Sequence, residues 1–259
     1  MKVVILAGGL GTRLSEETTL KPKPMIEIGH EPILWHLMKI YSTQGFNDFV
    51  ICGGYKQSMI KDYFLRYLTN HVDIRLDFQK NDLEVLGTHP DPWKVTIVDT
   101  GLNTMTGGRI KRIKKYVESE ETFLLTYGDG LSDVSLDKLI RTHKKSGKAV
   151  TVTAVQPVGR FGALTIDSSD SVVGFTEKPP GDGMWINGGF YAMQPNIFDY
   201  ISGDDSIWER EPMDCLTSDN KVGVYRHLGF WRPMDTMTDK RQLDELWSSG
   251  RAPWKIWSD

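Results

Sequence analysis

Along the first half of the chain, apolar positions fall into blocks whose spacing switches repeatedly between two periods. Lys2 to Ala7 is a continuous, β-branched apolar run that stops at Gly8-Gly9, the pattern of a parallel strand covered on both faces. It is expected at the centre of a sheet. From Glu31 to Gln44, Pro32, Ile33, Leu34, Leu37, Met38, Ile40 and Tyr41 recur at helical spacing, with proline near the start and Gly45 just past the end. Asp48 to Cys52 reads as a second strand, Gln57 to Leu68 as a helix and Val72 to Phe78 as a third strand of the same sheet. Phe123 to Thr126 is a further buried strand running into Tyr127-Gly128-Asp129-Gly130. A helix at Leu136 to Ser146 and a strand at Ala149 to Val155 follow. Repeated β–α alternation predicts an α/β fold with a doubly wound, mainly parallel sheet flanked by helices.

The second half is less regular. Gly162 to Ile166 and Val172 to Glu177 read as antiparallel strands that extend or cover the main sheet, and Asn187-Gly188-Gly189 opens a strand at Phe190 to Met193. Pro179 to Gly183 reads as a mobile loop. No repeat or linker divides the chain, so a single domain over residues 1–259 is expected. With 39% apolar and 25% charged residues, the sequence can bury a core and is not that of a disordered chain. No apolar run reaches membrane-spanning length, which points to a cytoplasmic protein with no membrane partner. A net charge of −3 gives no general attraction for nucleic acid, so any phosphate-binding site must be local.

The chemistry concentrates in the first 25 residues. Leu6, Ala7, Gly8, Gly9, Leu10, Gly11, Thr12 and Arg13 form a strand-to-loop transition whose glycines let backbone N–H groups approach an anion. It is neither a Walker A loop nor a complete dinucleotide fingerprint, because no Gly-Lys-Ser/Thr follows and Leu14 stands where a third glycine would. By itself the run is equally a tight turn. Lys21-Pro22-Lys23-Pro24-Met25 adds two lysines on a backbone that alternating prolines hold extended. Asp129 ends a predicted strand between two glycines, where ligands bind in open α/β sheets. Asp235, in Phe230-Trp231-Arg232-Pro233-Met234-Asp235-Thr236, reads on residue pattern alone as a helix cap.

The combination of Leu6 to Leu14 with Lys21 to Met25 resembles the signature of the sugar-nucleotide pyrophosphorylases. Along nearly its whole length the sequence is similar to the glucose-1-phosphate cytidylyltransferases within that superfamily. The resemblance implies a Rossmann-like fold of the nucleotide-diphospho-sugar transferase type, with a nucleotide-binding half of about 1–130 and a sugar-binding and oligomerisation half of about 131–259, and a Mg2+-dependent reaction. CTP and glucose 1-phosphate would give CDP-glucose and pyrophosphate, an early step toward the 3,6-dideoxyhexoses of O-antigen. It further implies Arg13 and Lys23 as catalytic cations, Asp129 and Asp235 as Mg2+ ligands, and nucleotide contacts from Leu6 to Arg13, Lys23, Thr104, Arg109 and Gly128. Glu177, Lys178, Asn187 and Gly188 would contact the sugar phosphate. The segment from Thr100 to Arg109 falls where related enzymes read the base and lacks the glutamine of the thymidylyl and uridylyl relatives. Cytosine presents an N4 donor and an N3 acceptor where uracil presents the reverse, so a shaped loop can tell them apart. The same chemistry with UTP or dTTP, or a nucleotide-sugar sensor without catalysis, are the competing functions. A homo-oligomer, such as a hexamer, is also implied.

Outside these motifs, His36 lies in the Ile33–Tyr41 helix and is expected to pack, whereas His143, among Arg141, Lys144 and Lys145, is expected in solvent. The basic stretch Arg109 to Lys115 reads as a solvated face, with Arg109 either the best cation for the nucleotide or an exposed structural arginine. Trp254 and Trp257 are expected to anchor the tail or a subunit contact. Cys52 and Cys215 make neither a metal motif nor a disulfide framework and read as reduced structural thiols.

Overall fold

The computed structural model describes residues 1–157, 163–177 and 184–258. Seven strands form the main sheet: β1 (Val3–Leu6), β2 (Asp48–Gly53), β3 (Lys94–Asp99), β4 (Phe123–Tyr127), β5 (Val150–Val155), β6 (Ile186–Met193) and β7 (Val222–Arg226). Their order is β7-β5-β6-β4-β1-β2-β3. β3, β2, β1 and β4 are mutually parallel, β6 is antiparallel to both β4 and β5, and β7 is parallel to β5.

Every residue of β1 is buried, which explains its unbroken apolar run: an interior parallel strand has no face left for polar groups. Val3 and Ile5 join one core with Phe49, Ile51, Leu124 and Phe190. Val4 and Leu6 point the other way, into a second core with Val50, Cys52, Leu125 and Tyr191. Helices α1 (Ile33–Thr43), α4 (Leu136–Ser146) and α6 (Met237–Ser248) contribute to the first core, α3 (Thr106–Arg112) and α5 (Glu211–Ser218) to the second. Between β2 and β3 lies α2 (Gln57–Asn70), which buries Ile60 in the first core.

Several expectations are corrected. Asp73–Asp77 does not enter the main sheet but pairs with Asp82–Leu86 in a separate hairpin. The parallel edge strand is Lys94–Asp99, which the sequence pattern did not single out. Ala163–Ile166 and Val172–Thr176 are antiparallel as expected, yet form their own two-stranded sheet. The segment from Thr100 to Arg109 is a loop only as far as Met105, where α3 begins. His143 is buried rather than solvated, its Nδ1 2.9 Å from Thr151 Oγ1, because it faces β5 and its neighbours face water. Arg109 is likewise 4% exposed and belongs to no solvated face. Cys52 is buried and Cys215 exposed. The loop expected at Pro179 to Gly183 falls outside the described residues. Trp254 is fully buried and stacks on Phe230 and Trp247, so it fixes the C-terminal segment to the first core.

The strand order places the site. β1 leads by way of α1 to β2 on one side, and β4 returns on the other, so the chain switches direction across the sheet between β1 and β4. Connections leaving such neighbours diverge and open a crevice at their carboxyl ends. Leu6 is registered against Tyr127 there.

Candidate active site

A cleft of about 610 Å3 lies beyond the carboxyl ends of β1 and β4. Gly8, Gly9, Gly11 and Thr12 form one wall, and Gly128 with Asp129 the facing one. The two walls are tied by the Gly128 N–H donating to the Leu6 carbonyl at 3.0 Å. A Cβ on Gly8 would lie 2.2 Å from Arg109 Nη1, so this position admits only glycine while the arginine is in place. Gly11 has φ +66 and turns the chain into a 3-10 turn at Thr12–Leu14.

The Lys-Pro segment sends its two lysines apart. Lys21 pairs with Glu27 at 2.5 Å on the surface, whereas Lys23 is 8% exposed and enters the cleft. Pro22 is extended as expected, but Pro24 sits inside a single 3-10 turn, Lys23–Met25. Lys23 Nζ lies 2.6 Å from Asp129 Oδ2 and 2.6 Å from Asp235 Oδ1. Burial by itself would lower the Lys23 pKa. The two carboxylates outweigh it and hold the value above that of an ordinary lysine. A short antiparallel ladder brings the two aspartates together. Gly130 is registered on Pro233, and the Met234 N–H donates to the Asp129 carbonyl at 2.8 Å. Asp235 is not the cap of α6; Thr236 is, through a capping box with Asp239, and Asp235 is held one residue ahead of it.

Arg109 lines the cleft, but its guanidinium is committed to acceptors behind the lining. It donates to the carbonyls of Gly53, Gly101 and Leu102 and to Thr100 Oγ1, at distances from 2.7 to 3.2 Å. It therefore shapes the loop that carries Thr104, which is 7% exposed and also lines the cleft.

Asn187 and Gly188 reach the cleft because β6 is antiparallel to β4: its first residues overhang the end where β4 stops. The Gly188 carbonyl accepts from Trp231 Nε1 at 2.6 Å. Leu10 is exposed and not among the lining residues, and neither is Glu177, which is exposed just after the second hairpin. Lys178 and the side chain of Arg13 lie outside the described residues. Sequence reasoning missed Tyr127 and Glu209, which line the cleft, and Tyr191 behind them. Tyr127 had a usable signal, since it immediately precedes Gly128 at a strand end. Glu209 had none, because its partners Thr106 and Tyr127 are distant in sequence.

Asp129 and Asp235 are the pair that could hold a divalent cation. Among the described residues no group of three or more acidic, histidine or cysteine side chains forms a fuller cage. Two carboxylates with phosphate and water completing the shell is the usual Mg2+ arrangement.

The family model for nucleotidyl transferases matches residues 2–220. Over 257 residues, 99% of this chain and all of the relative, the sequence is 52% identical to the glucose-1-phosphate cytidylyltransferase of Salmonella typhi. The chain belongs to the glucose-1-phosphate cytidylyltransferase family. A probable member from Bacillus subtilis is 45% identical over 258 residues, again 99% of this chain and 100% of the relative. Among solved structures, HddC from Yersinia pseudotuberculosis has a TM-score of 0.69 at 26% identity, covering 95% of this chain and 99% of that one. As a nucleotidyltransferase, this cytidylyltransferase-family chain needs no protein nucleophile, and its cleft presents the Lys23 ammonium with the Asp129 and Asp235 carboxylates.

Proposed function

We propose that the cleft transfers a cytidylyl group from CTP to glucose 1-phosphate, giving CDP-glucose and pyrophosphate for O-antigen sugar synthesis. The convergence of Lys23, Asp129 and Asp235 carries this proposal, because it gathers one fixed cation and two metal-binding carboxylates beside a glycine-lined phosphate wall.

In the reaction, a phosphate oxygen of glucose 1-phosphate attacks the α-phosphorus of CTP in line, and pyrophosphate leaves. Positioning and charge neutralisation are what the protein must supply. Gly8 to Gly11 offer backbone N–H groups to the triphosphate, and a Cβ built on Gly9 meets nothing within 4 Å, so the backbone at Gly9 is open to a ligand. Lys23 stays charged through neutral pH and can donate to phosphate oxygens. Asp129 and Asp235 would hold Mg2+, which supplies neutralisation of the charge on the phosphates when bound. Arg13, from the same 3-10 turn as Thr12, is assigned to the triphosphate with Lys23.

Base reading is assigned to the Thr104 loop that Arg109 braces, and sugar-phosphate recognition to Asn187 and Gly188 with Glu177 and Lys178. The nucleotide side is then built mainly from the first 130 residues and the sugar side from the remainder. We further assign a cytoplasmic homo-oligomer. Phe78 and Phe175, on the two small hairpins, are 85% and 64% exposed, and a second copy would cover such apolar surface.

The test is Asp129→Asn, assayed for pyrophosphate release across a Mg2+ titration. Turnover is expected to fall at least about a hundredfold with the fold retained. Near-normal CDP-glucose synthesis by that variant would overturn the metal assignment.

A further inference from the structure

One polar chain in the cleft is unused by the chemistry above. The Thr106 hydroxyl donates to Glu209 Oε2 at 2.7 Å, and the Tyr127 hydroxyl donates to the other oxygen, Oε1. The Tyr127 and Tyr191 hydroxyl oxygens are 3.2 Å apart. Asn187 Nδ2 donates to the Tyr191 hydroxyl at 2.5 Å, while Asn187 Oδ1 accepts from the Gly189 N–H at 2.8 Å.

Both ends of this chain have a fixed polarity. The Gly189 N–H can only donate, so it calls for Asn187 Oδ1 at that end, and the Nδ2 at the other end needs an acceptor, which the Tyr191 hydroxyl supplies while its own proton points away. An ionised carboxylate can only accept, so Tyr127 commits its single proton to Glu209. Tyr191 is then left to donate to Tyr127, and all the protons point from Asn187 toward Glu209. Burial keeps both phenols protonated: it is the main cause that pushes Tyr191 up to about 12, and Tyr127 rises further, by burial first and then by its neighbours Tyr191 and Glu209.

We propose that Glu209 is a positioning residue for sugar recognition, orienting the Asn187 amide through Tyr127 and Tyr191. This rests on the assignment of Asn187 to the sugar. With an acceptor at 209, Asn187 presents its second Nδ2 hydrogen and the remaining lone pair of Oδ1 in one orientation. Without it, nothing commits the Tyr127 proton away from Tyr191, and once Tyr127 donates to Tyr191 the Tyr191 proton faces Asn187 Nδ2, donor against donor. The anchor itself is tied to α3. The backbone carbonyls of Asp204 and Ser206 accept from the N–H groups of Met105 and Gly108 at 2.9 and 3.2 Å, which ties the segment preceding Glu209 to the start of α3.

The experiment varies glucose 1-phosphate and CTP separately for Glu209→Ala, Glu209→Gln, Tyr127→Phe and the Glu209→Ala/Tyr127→Phe double variant, with Asn187→Ala alongside. Glu209→Ala is expected to raise the KM for glucose 1-phosphate about tenfold, the size of one lost charge-assisted hydrogen bond, and to leave the KM for CTP within about twofold. Glu209→Gln keeps an acceptor oxygen for Tyr127 and should restore the sugar KM to within about threefold. Tyr127→Phe should match Glu209→Ala, and the double variant should be no worse than either, since residues in one network are not additive. Equal rises in both KM values, additive losses, or a lowered Tm with an unchanged sugar KM would overturn the proposal. If Asn187→Ala raises the sugar KM and Glu209→Ala does not, the relay fails alone. If Asn187→Ala leaves it unmoved, the sugar assignment of Asn187 fails and the relay with it.

Discussion

Lys23 Nζ and Asp235 Oδ1 lie 2.6 Å apart although 212 positions separate them in the chain. Three devices produce that contact. A 3-10 turn at Lys23–Met25 aims the lysine inward, the Gly130–Pro233 register sets the two aspartates side by side, and the Thr236 capping box fixes where Asp235 ends. The turn and the capping box are local, whereas the ladder joins distant parts of the chain, and only their sum brings the three side chains together.

Removal of the Lys23 ammonium should therefore cost both activity and stability. Lys23→Met is expected to lower kcat about 100- to 1000-fold, the range for losing a charge-stabilising donor. Without Mg2+, two carboxylates with little exposure are left facing each other, so the variant should lose about 1–3 kcal/mol. Added Mg2+ should then raise the Tm of the variant more than that of the parent. Equal Mg2+ shifts in differential scanning fluorimetry would contradict this.

The same lysine should contribute no acid sensitivity. Its folded pKa is raised above the ordinary 10.5, so its stabilisation is fully present below that value and is lost only as pH climbs through the folded pKa. Loss of stability that begins at neutral pH in the parent and disappears in Lys23→Met would contradict the assignment.

His36 supplies the opposite case. Its Nε2 lies 2.9 Å from the Ile28 carbonyl, and its Nδ1 accepts from Trp254 Nε1 at 3.4 Å, an arrangement that needs the neutral ring. Burial lowers its pKa to about 4 from 6.5. The unfolded chain then binds this proton first as pH falls. Stability is full above 6.5 and is lost on descending toward 4, by up to about 3 kcal/mol. Melting curves across that window should slope downward in the parent and flatten in His36→Gln, which offers an amide donor and acceptor in place of the ring. Parallel slopes in the two proteins would contradict this origin.

Arg109→Lys keeps the charge but cannot reach four acceptors at once. It should destabilise the fold by about 2 kcal/mol, because buried carbonyls lose their partners. It should also raise the KM for CTP more than that for glucose 1-phosphate, since the loop it braces is the one assigned to the base. A selective rise in the sugar KM would place the braced loop on the wrong side of the cleft.

The sequence made β1, the glycine wall and the Lys23 segment legible because each is a local pattern with a local cause. Burial on both faces writes an apolar run, and a close backbone approach requires glycine, as at Gly8 against Arg109. Asp73 to Asp77 was misplaced for a physical reason. Its apolar and polar alternation is the same whether the partner strand belongs to a sheet or to an adjacent hairpin arm. Lys94–Asp99, an edge strand, carries charges at both ends and so lacks the apolar signature of its neighbours. His143 and Arg109 are polar residues buried by tertiary contacts, which hydropathy cannot anticipate. Glu209 meets Tyr127 across 82 positions and Thr106 across 103, distances over which no spacing rule operates.

The central claim is CTP-dependent nucleotidyl transfer onto glucose 1-phosphate. Its most direct test is pyrophosphate release with CTP, UTP, dTTP and GTP in turn, each with glucose 1-phosphate and Mg2+. CTP is predicted to give the highest kcat/KM, with release abolished by chelation of the metal. A higher kcat/KM for UTP, or binding of CTP with no metal-dependent release for any nucleotide, would contradict it.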